Sequence, residues 1–370
     1  MSARLDRPVA YIEGIGQSVV KKVDLPKDVD ILNLATNESS FGASQAVLNA
    51  IREQAEKPHR YPDPLSTELR HAIGQHFDLE ADQIVCGNGS EELLDGIGRI
   101  YARPGDEILF SEYGFLQFPI VAYRAGATAI KAPSPNLTAN VDTLLENVTE
   151  RTKILFLANP ENPTGTYIPA SEVRRLRDNL PRRIVLVVDS VYCEYVDDPD
   201  FTDGLELVEG HNNVIVIRTF SKAWGLAGLR VGWAYCSASM AAVLNTMRGI
   251  GNVNAMAQAG AVAALSDPSH VDKVRRETDQ ARKKFIKDLS RFGVTMVPGA
   301  ANFVLVKFPA TQTNRKAVDA FRHLVSEGII VRTNEDYGLD DYLRITIGTI
   351  EECDQVIESL DRFSIKCFAL

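Results

Sequence analysis

From Gln83 onward the chain alternates short, continuous apolar runs with amphipathic segments, and this alternation narrows the possible folds more than any other feature. The runs are Gln83–Cys86, Glu107–Phe110, Ile154–Ala158, Ile184–Val188 and Val214–Ile217. Between them, Glu91–Tyr101 carries Leu93, Leu94, Ile97 and Ile100 at helical spacing, and Ala170–Asn179 also reads as a helix. Val/Ile/Leu runs without internal alternation suit strands covered on both faces. The predicted fold is therefore α/β, with a mostly parallel sheet in a large domain. In such sheets functional side chains gather just past the carboxyl ends of the strands.

The pattern changes after about residue 262. Asp267-Pro268 opens a long charged helix with Val271, Val274, Phe285, Leu289 and Phe292 on one side, and Gly293 stands where a C′ glycine would end it. An alternating strand (Asn302–Phe308), a helix (Arg315–Val325), strands at Ile329–Arg332 and Tyr342–Ile347, and a helix from about Glu351 follow. This is the pattern of a smaller α+β domain. The first thirty residues lack periodicity and read as an arm. The expected division of the 370 residues is an arm at 1–30, a large domain at 31–262 and a small C-terminal domain at 263–370.

Lys and Arg number 40 against 49 Asp and Glu, a formal net charge of −9. A nucleic-acid surface normally needs a basic excess, so none is expected as principal partner. The five cysteines are scattered, without Cys-x-x-Cys, and read as free thiols of a reducing compartment. No apolar signal core follows Met1, and no apolar stretch is both long and unbroken enough to span a membrane. A soluble, cytoplasmic protein is expected.

The residues after each run are polar and distinctive. Gly87-Asn88-Gly89-Ser90-Glu91 follows the first, where glycines and a helix start could gather amides around an anion or simply make a turn. Asn159-Pro160-Glu161-Asn162-Pro163-Thr164-Gly165 follows Ile154–Ala158 and is a strong turn signal. Asp189, with Tyr192 three residues on, follows Ile184–Val188; an acid behind a buried strand needs a partner. After Val214–Ile217 come Ser221-Lys222 and, eight residues beyond the lysine, Arg230. A single strand-end lysine is more often a solvated charge. The set together matches what pyridoxal 5′-phosphate asks of a protein: a lysine amine, an acid for the pyridine nitrogen, donors for the 3′-oxygen and a phosphate cradle. Competing motifs fail. No G-x-x-x-x-G-K-[ST] occurs, none of the four G-x-G triplets continues to a third glycine, and the six histidines form no metal pattern.

Ser221-Lys222-Ala223-Trp224-Gly225-Leu226-Ala227-Gly228-Leu229-Arg230 resembles the lysine motif of the fold-type-I pyridoxal-phosphate-dependent aminotransferases, in their histidinol-phosphate branch. Asn159–Gly165, the Asp189…Tyr192 pair, Arg60-Tyr61-Pro62-Asp63-Pro64, Tyr337-Gly338-Leu339 and Leu343–Thr349 are similar to that branch too, so the likeness runs from about Tyr11 to Thr349. It implies Lys222 as Schiff-base lysine, Asp189 opposite the pyridine nitrogen, and Asn162 and Tyr192 as donors to the 3′-oxygen. It also implies Tyr113 stacked on the ring, and a phosphate cradle of Ser90, Glu91, Ser221 and Arg230. Tyr61 would reach the phosphate from a neighbouring subunit, which implies a homodimer with shared sites. Arg344 and Arg332 would hold the substrate's anionic end, with Tyr11 and Asn37 also on the substrate side.

The reaction so implied moves an amino group from a small-molecule donor, histidinol phosphate, to a 2-oxo acid, 2-oxoglutarate. Three departures stand out: Asn37-Glu38-Ser39-Ser40 in place of Asn-Glu-Asn-Pro, Ser111-Glu112 in place of Pro-Thr, and Trp224 where Phe is common. Rival readings are an aromatic amino acid aminotransferase, a phosphothreonine decarboxylase, and a cofactor-binding transcription regulator. The last carries an extra DNA-binding domain, for which no stretch is expected here.

Overall fold

The computed structural model describes residues 29–309 and 316–368, with side chains to residue 364. Almost all of the expected arm, Tyr11 included, lies outside the described residues.

The first strand, β1 (Leu32–Asn33), precedes a seven-stranded sheet of β2 (Ile84–Gly87), β3 (Glu107–Ser111), β4 (Thr128–Ala132), β5 (Thr152–Ala158), β6 (Val185–Asp189), β7 (Val214–Thr219) and β8 (Gly232–Cys236). The order is β2-β8-β7-β6-β5-β3-β4, and only β8 runs against the others. All five predicted runs are strands of this sheet. Two strands carry no such signal. β4 is an edge strand, exposed over much of its length, and so lacks an apolar run. β8 sits inside the apolar stretch 225–244, which folds as a short 3₁₀ turn, the strand and a helix (Ala238–Met247).

Alternate residues of the central strands serve two cores. Phe110, Phe156, Val187 and Ile217 face the helices Ser90–Tyr101, Gln117–Arg124 and Ala238–Met247. Leu109, Leu157, Leu186 and Val216 face Val141–Glu146 and Ala170–Asn179. A third core, around Phe220, Trp224 and Trp233, packs the helices Gln45–Ala55, Thr67–Phe77 and Ala255–Leu265 beside the segment after β7.

The long helix Pro268–Leu289 has Pro at its start and ends through a 3₁₀ turn at Gly293, whose φ of 68° is left-handed. It leads to β9 (Thr295–Met296), β10 (Phe303–Lys307), β11 (Ile329–Ile330), β12 (Arg332–Asn334) and β13 (Leu339–Thr346). Four of these form the antiparallel sheet β12-β13-β10-β9. The single strand predicted at Ile329–Arg332 is split in two, because β11 leaves that sheet to pair in parallel with β1. Leu32 and Leu34 accordingly pack into the C-terminal core, although residues from 31 were expected with the larger domain. A small cluster of Tyr192, Tyr195, Ala223, Val274, Ala301 and Phe303 joins the two sheets.

Candidate active site

Strands β2, β3, β5, β6 and β7 end at one edge of the central sheet, and the antiparallel β8 begins there, with Gly232 level with Gly87 and Thr219. That reversal brings Arg230, two residues before β8, to the edge where the other strands finish. A cavity of about 350 Å³ lies at this edge, and β13 and its neighbours close its far side. Larger clefts of about 550 and 650 Å³ lie elsewhere but contain neither Lys222 nor Asp189, so size alone does not mark the site.

At the centre, Asp189 is 3% exposed, and its Oδ1 finds no hydrogen-bond partner among the described residues. Burial pushes its carboxyl up to about 7, against the opposing pull of the Val191 N–H and the Lys222 charge. The Lys222 amine donates to the Thr36 carbonyl at 3.3 Å and lies 5.6 Å from the Tyr192 ring centroid. Burial, with Arg344 and Arg230 nearby, lowers its pKa to about 8, so a usable share of neutral amine exists near neutral pH. Buried Tyr192 accepts from Asn37 Nδ2 at 2.8 Å, and burial raises its phenol. Asn37 itself sits at a φ of 56° and accepts from Thr346 Oγ1, which ties this end to β13.

At one wall the helix Ser90–Tyr101 begins, with Gly89 as its N-cap. The first-turn N–H groups of any helix lack intrahelical partners and attract anions. Gly89 has a φ of 80°, and a Cβ there would lie 2.4 Å from Arg230 Nη2, so only glycine lets the guanidinium lie against the helix start. Arg230 itself holds a left-handed φ of 59°. Ser90, Glu91, Ser221 and Arg230 all line this wall.

At the opposite wall, Arg344 on β13 is 7% exposed and donates from Nη1 to Asn162 Oδ1 and from Nη2 to the Ala35 carbonyl. Its guanidinium lies 5.3 Å from the Phe303 ring centroid, and its Nε has no partner among the described residues. Because Arg344 occupies the amide oxygen of Asn162, the amide's donor end is left for the cavity. Arg332 is less buried and pairs with Asp336 at 2.9 Å.

A buried carboxylate oxygen without a partner among the described residues, an accessible amine of lowered pKa, and a helix start beside a guanidinium are the features that fit pyridoxal 5′-phosphate. The family profile described as aminotransferase class I and II matches residues 29–360. The chain belongs to this family. Histidinol-phosphate aminotransferases of Paramagnetospirillum magneticum and Rhodospirillum centenum are 49% and 45% identical to it, over 94% and 89% of this chain and 94% and 91% of theirs. The structure of histidinol-phosphate aminotransferase from Sinorhizobium meliloti in complex with pyridoxal-5′-phosphate is 27% identical, with a TM-score of 0.89 over 98% of this chain and 99% of that one. Aspartate aminotransferase of Thermus thermophilus, at 20% identity and a TM-score of 0.80 over 90% of this chain and 92% of its own, shares the fold.

In this aminotransferase the cavity gathers Asn37, Ser90, Glu91, Asn162, Asp189, Tyr192, Ser221, Lys222, Arg230, Arg332 and Arg344. Tyr113, expected on the ring, is half-buried and not among the lining residues; Phe115 and Leu116, shortly after it in the chain, are. Tyr61 is fully exposed, away from its own chain's cavity. The cavity also holds Tyr337, to which the sequence alone assigns no role. Tyr337 donates to the Asn162 carbonyl at 3.3 Å and accepts from the Leu116 N–H at 3.2 Å. Its only signal was its place in Tyr337-Gly338-Leu339.

Proposed function

We propose that this aminotransferase takes the amino group of histidinol phosphate and passes it to 2-oxoglutarate, releasing imidazole acetol phosphate and glutamate. The observation that carries the reading is the meeting, in one cavity, of Lys222, Asp189 and two separated cationic walls. The cofactor would supply an electron sink for the pair left when the substrate's Cα loses its proton. Lys222 would hold the cofactor and, once its amine is freed, carry that proton at Nζ. Asp189, ionised beside a protonated pyridine nitrogen, would keep that sink active. Tyr192 and the Asn162 amide would donate to the 3′-oxygen, and Ser90, Ser221, Arg230 and the first-turn amides would hold the phosphate.

Arg344 and Arg332 would take the phosphate of the donor and, in the second half of the cycle, a carboxylate of the oxo acid. In this reading the larger sheet carries the cofactor, and the C-terminal sheet, with residues 32–34, grips the substrate. A homodimer with shared sites is part of the proposal. Tyr61, Leu65, Met247 and Ile250 are all exposed, and the segments that carry them are tied by the Arg248 donation to the Pro64 carbonyl and by Gln258 to the Asp63 carbonyl. An exposed apolar group of this kind suits a second copy of the chain.

Purified protein is expected to show the absorbance of lysine-bound cofactor, and Lys222→Ala to lose it; an unchanged spectrum in the variant refutes the cofactor assignment. Donor half-reactions then compare kcat/KM for histidinol phosphate and phenylalanine. A preference for phenylalanine would replace the donor with an aromatic amino acid.

A further inference from the structure

Outside the cavity lining, a second group of charges, centred on buried Arg218 and Glu194, reaches into the lysine segment. Arg218, the fifth residue of β7, is 4% exposed; its Nη2 donates to Glu194 Oε1 at 2.9 Å and its Nη1 to Asp203 Oδ2 at 2.6 Å. The guanidinium lies over two aromatic rings, 4.9 Å from the centroid of Phe77 and 5.5 Å from that of Trp233. Glu194 Oε1 also accepts from the indole Nε1–H of Trp224 at 3.1 Å. Trp224 is 4% exposed and packs edge-on or tilted against His76 and Phe220.

The sequence positions matter. Glu194 stands two residues after Tyr192, and Trp224 two residues after Lys222. One carboxylate oxygen therefore ties the turn that carries Tyr192 to the loop that carries Lys222, and Arg218 anchors that oxygen to β7. Buried ion pairs add little net stability compared with apolar replacements, because desolvation offsets their attraction. What a fully oriented pair supplies is a fixed geometry. Two flanking rings and two carboxylate partners restrict how the Arg218 guanidinium can lie.

We propose that Trp224, Glu194 and Arg218 are positioning residues that hold the Lys222 loop in register with the Tyr192 turn, with the Trp224 indole N–H as the link between them. This rests on the reading of Lys222 as the cofactor lysine. None of the three lines the cavity, so they act only through Lys222 and Tyr192. A slack link lets the amine and the Tyr192 hydroxyl drift apart. A phenol that stabilises negative charge on the cofactor's 3′-oxygen favours deprotonation of the adjoining nitrogen. Loss of register therefore raises the pH at which the lysine-bound cofactor changes colour.

Trp224→Phe keeps an aromatic ring against Phe220 and His76 and removes the N–H; Glu194→Gln keeps the shape and removes the charge. Both are made in the full chain and studied as holoenzyme. The expected result is a spectral pH midpoint raised by several tenths of a unit and a kcat lowered severalfold, with KM for the donor nearly constant. In the cofactor-free variants, the pH dependence of Lys222 acetylation, read by mass spectrometry, is expected to shift as well. A spectral midpoint and a kcat equal to those of the parent in both variants, with only the thermal midpoint lowered, overturns the proposal and leaves the group a packing feature. Failure of the cofactor reading itself looks different: the parent would show no lysine-bound spectrum, or Lys222→Ala would keep it.

Discussion

Arg332 and Arg344 are direct cross-strand partners in the pairing of β12 with β13. Like charges placed opposite each other in a sheet repel. Asp336 offsets the more exposed of the two, while the partners of buried Arg344 among the described residues, Asn162 and a carbonyl, are neutral. Burial lowers its pKa, a sign that the positive charge there is held at some cost. An anion between them would relieve both strains. Arg344→Lys keeps the charge and loses the fork. Loss of a charged hydrogen bond of about 1.5–3 kcal/mol corresponds to a KM for both anionic substrates raised by about tenfold or more. Steady-state kinetics with each substrate check this. The lysine-bound spectrum should stay, since Arg344 serves the far wall.

Asp189 gives a pH signature in the cofactor-free protein. Its folded pKa, raised from 3.8 to about 7, means that the folded state binds more protons than the unfolded state between those values. Stability therefore falls as pH rises through that window, by up to about 4 kcal/mol, and the loss is complete above pH 7. Asp189→Asn removes this term. The thermal midpoint of the variant minus that of the parent should grow from pH 4 to pH 7 and then level off. Glu161, also pushed up to about 7 by burial, titrates in both proteins and cancels in the difference. Lys222 acts in another window. Its folded pKa of about 8 lies below the ordinary 10.5, so its contribution improves only as pH rises from 8. A midpoint difference that is flat with pH would contradict the burial of the Asp189 carboxyl. Added cofactor should reverse the order and favour the parent.

Gly225 shapes the lysine loop from the inside. Its φ is 73°, and a Cβ would lie 2.3 Å from the Gly42 carbonyl oxygen, a backbone atom that cannot swing away. Gly225→Ala is expected to destabilise by at least about 1–3 kcal/mol through backbone strain alone. Gly96 provides the contrast. It lies within the helix Ser90–Tyr101 at ordinary φ with nothing within 4 Å of a built Cβ, so Gly96→Ala should stabilise by about 0.5–1 kcal/mol. Denaturant unfolding of the two variants measures both signs.

The reach of the sequence follows from what each signal measures. Strands buried on both faces must be largely apolar, so β2, β3, β5, β6 and β7 could be read, and with them the residues at their ends. β4 escaped because this edge strand is exposed at Thr128 and Lys131 and so carries no apolar run, and β8 because its five residues merge with a neighbouring helix into one stretch. The site residues that were legible are those whose chemistry is rare at a strand end: Asp189, Lys222, Arg230. Tyr337 and Phe115 were not, because a lone aromatic has the same appearance in a core as in a cavity wall. The split at Val331 could not be read either, since β11 finds its partner in β1, about three hundred residues earlier in the chain.

The assembly gives the last prediction. Ile250 is 95% exposed and Tyr61 wholly so, on segments joined through Pro62, whose ring lies 3.2 Å from a Cβ built on Gly251. Leaving such side chains in water forgoes about 1.5–3 kcal/mol each for the large apolar ones, which a second copy could recover. Ile250→Glu places a charge where an apolar contact is expected, and sedimentation should show the protein shifting from dimer toward monomer. Tyr61→Phe keeps the apolar ring and removes the hydroxyl proposed to reach the neighbour's phosphate. It should leave the sedimentation unchanged and weaken cofactor retention, read as a faster loss of the lysine-bound absorbance on dilution. A parent protein that sediments as a monomer, or an Ile250→Glu variant of unchanged mass, would remove the shared site. Tyr61 would then be an ordinary surface side chain.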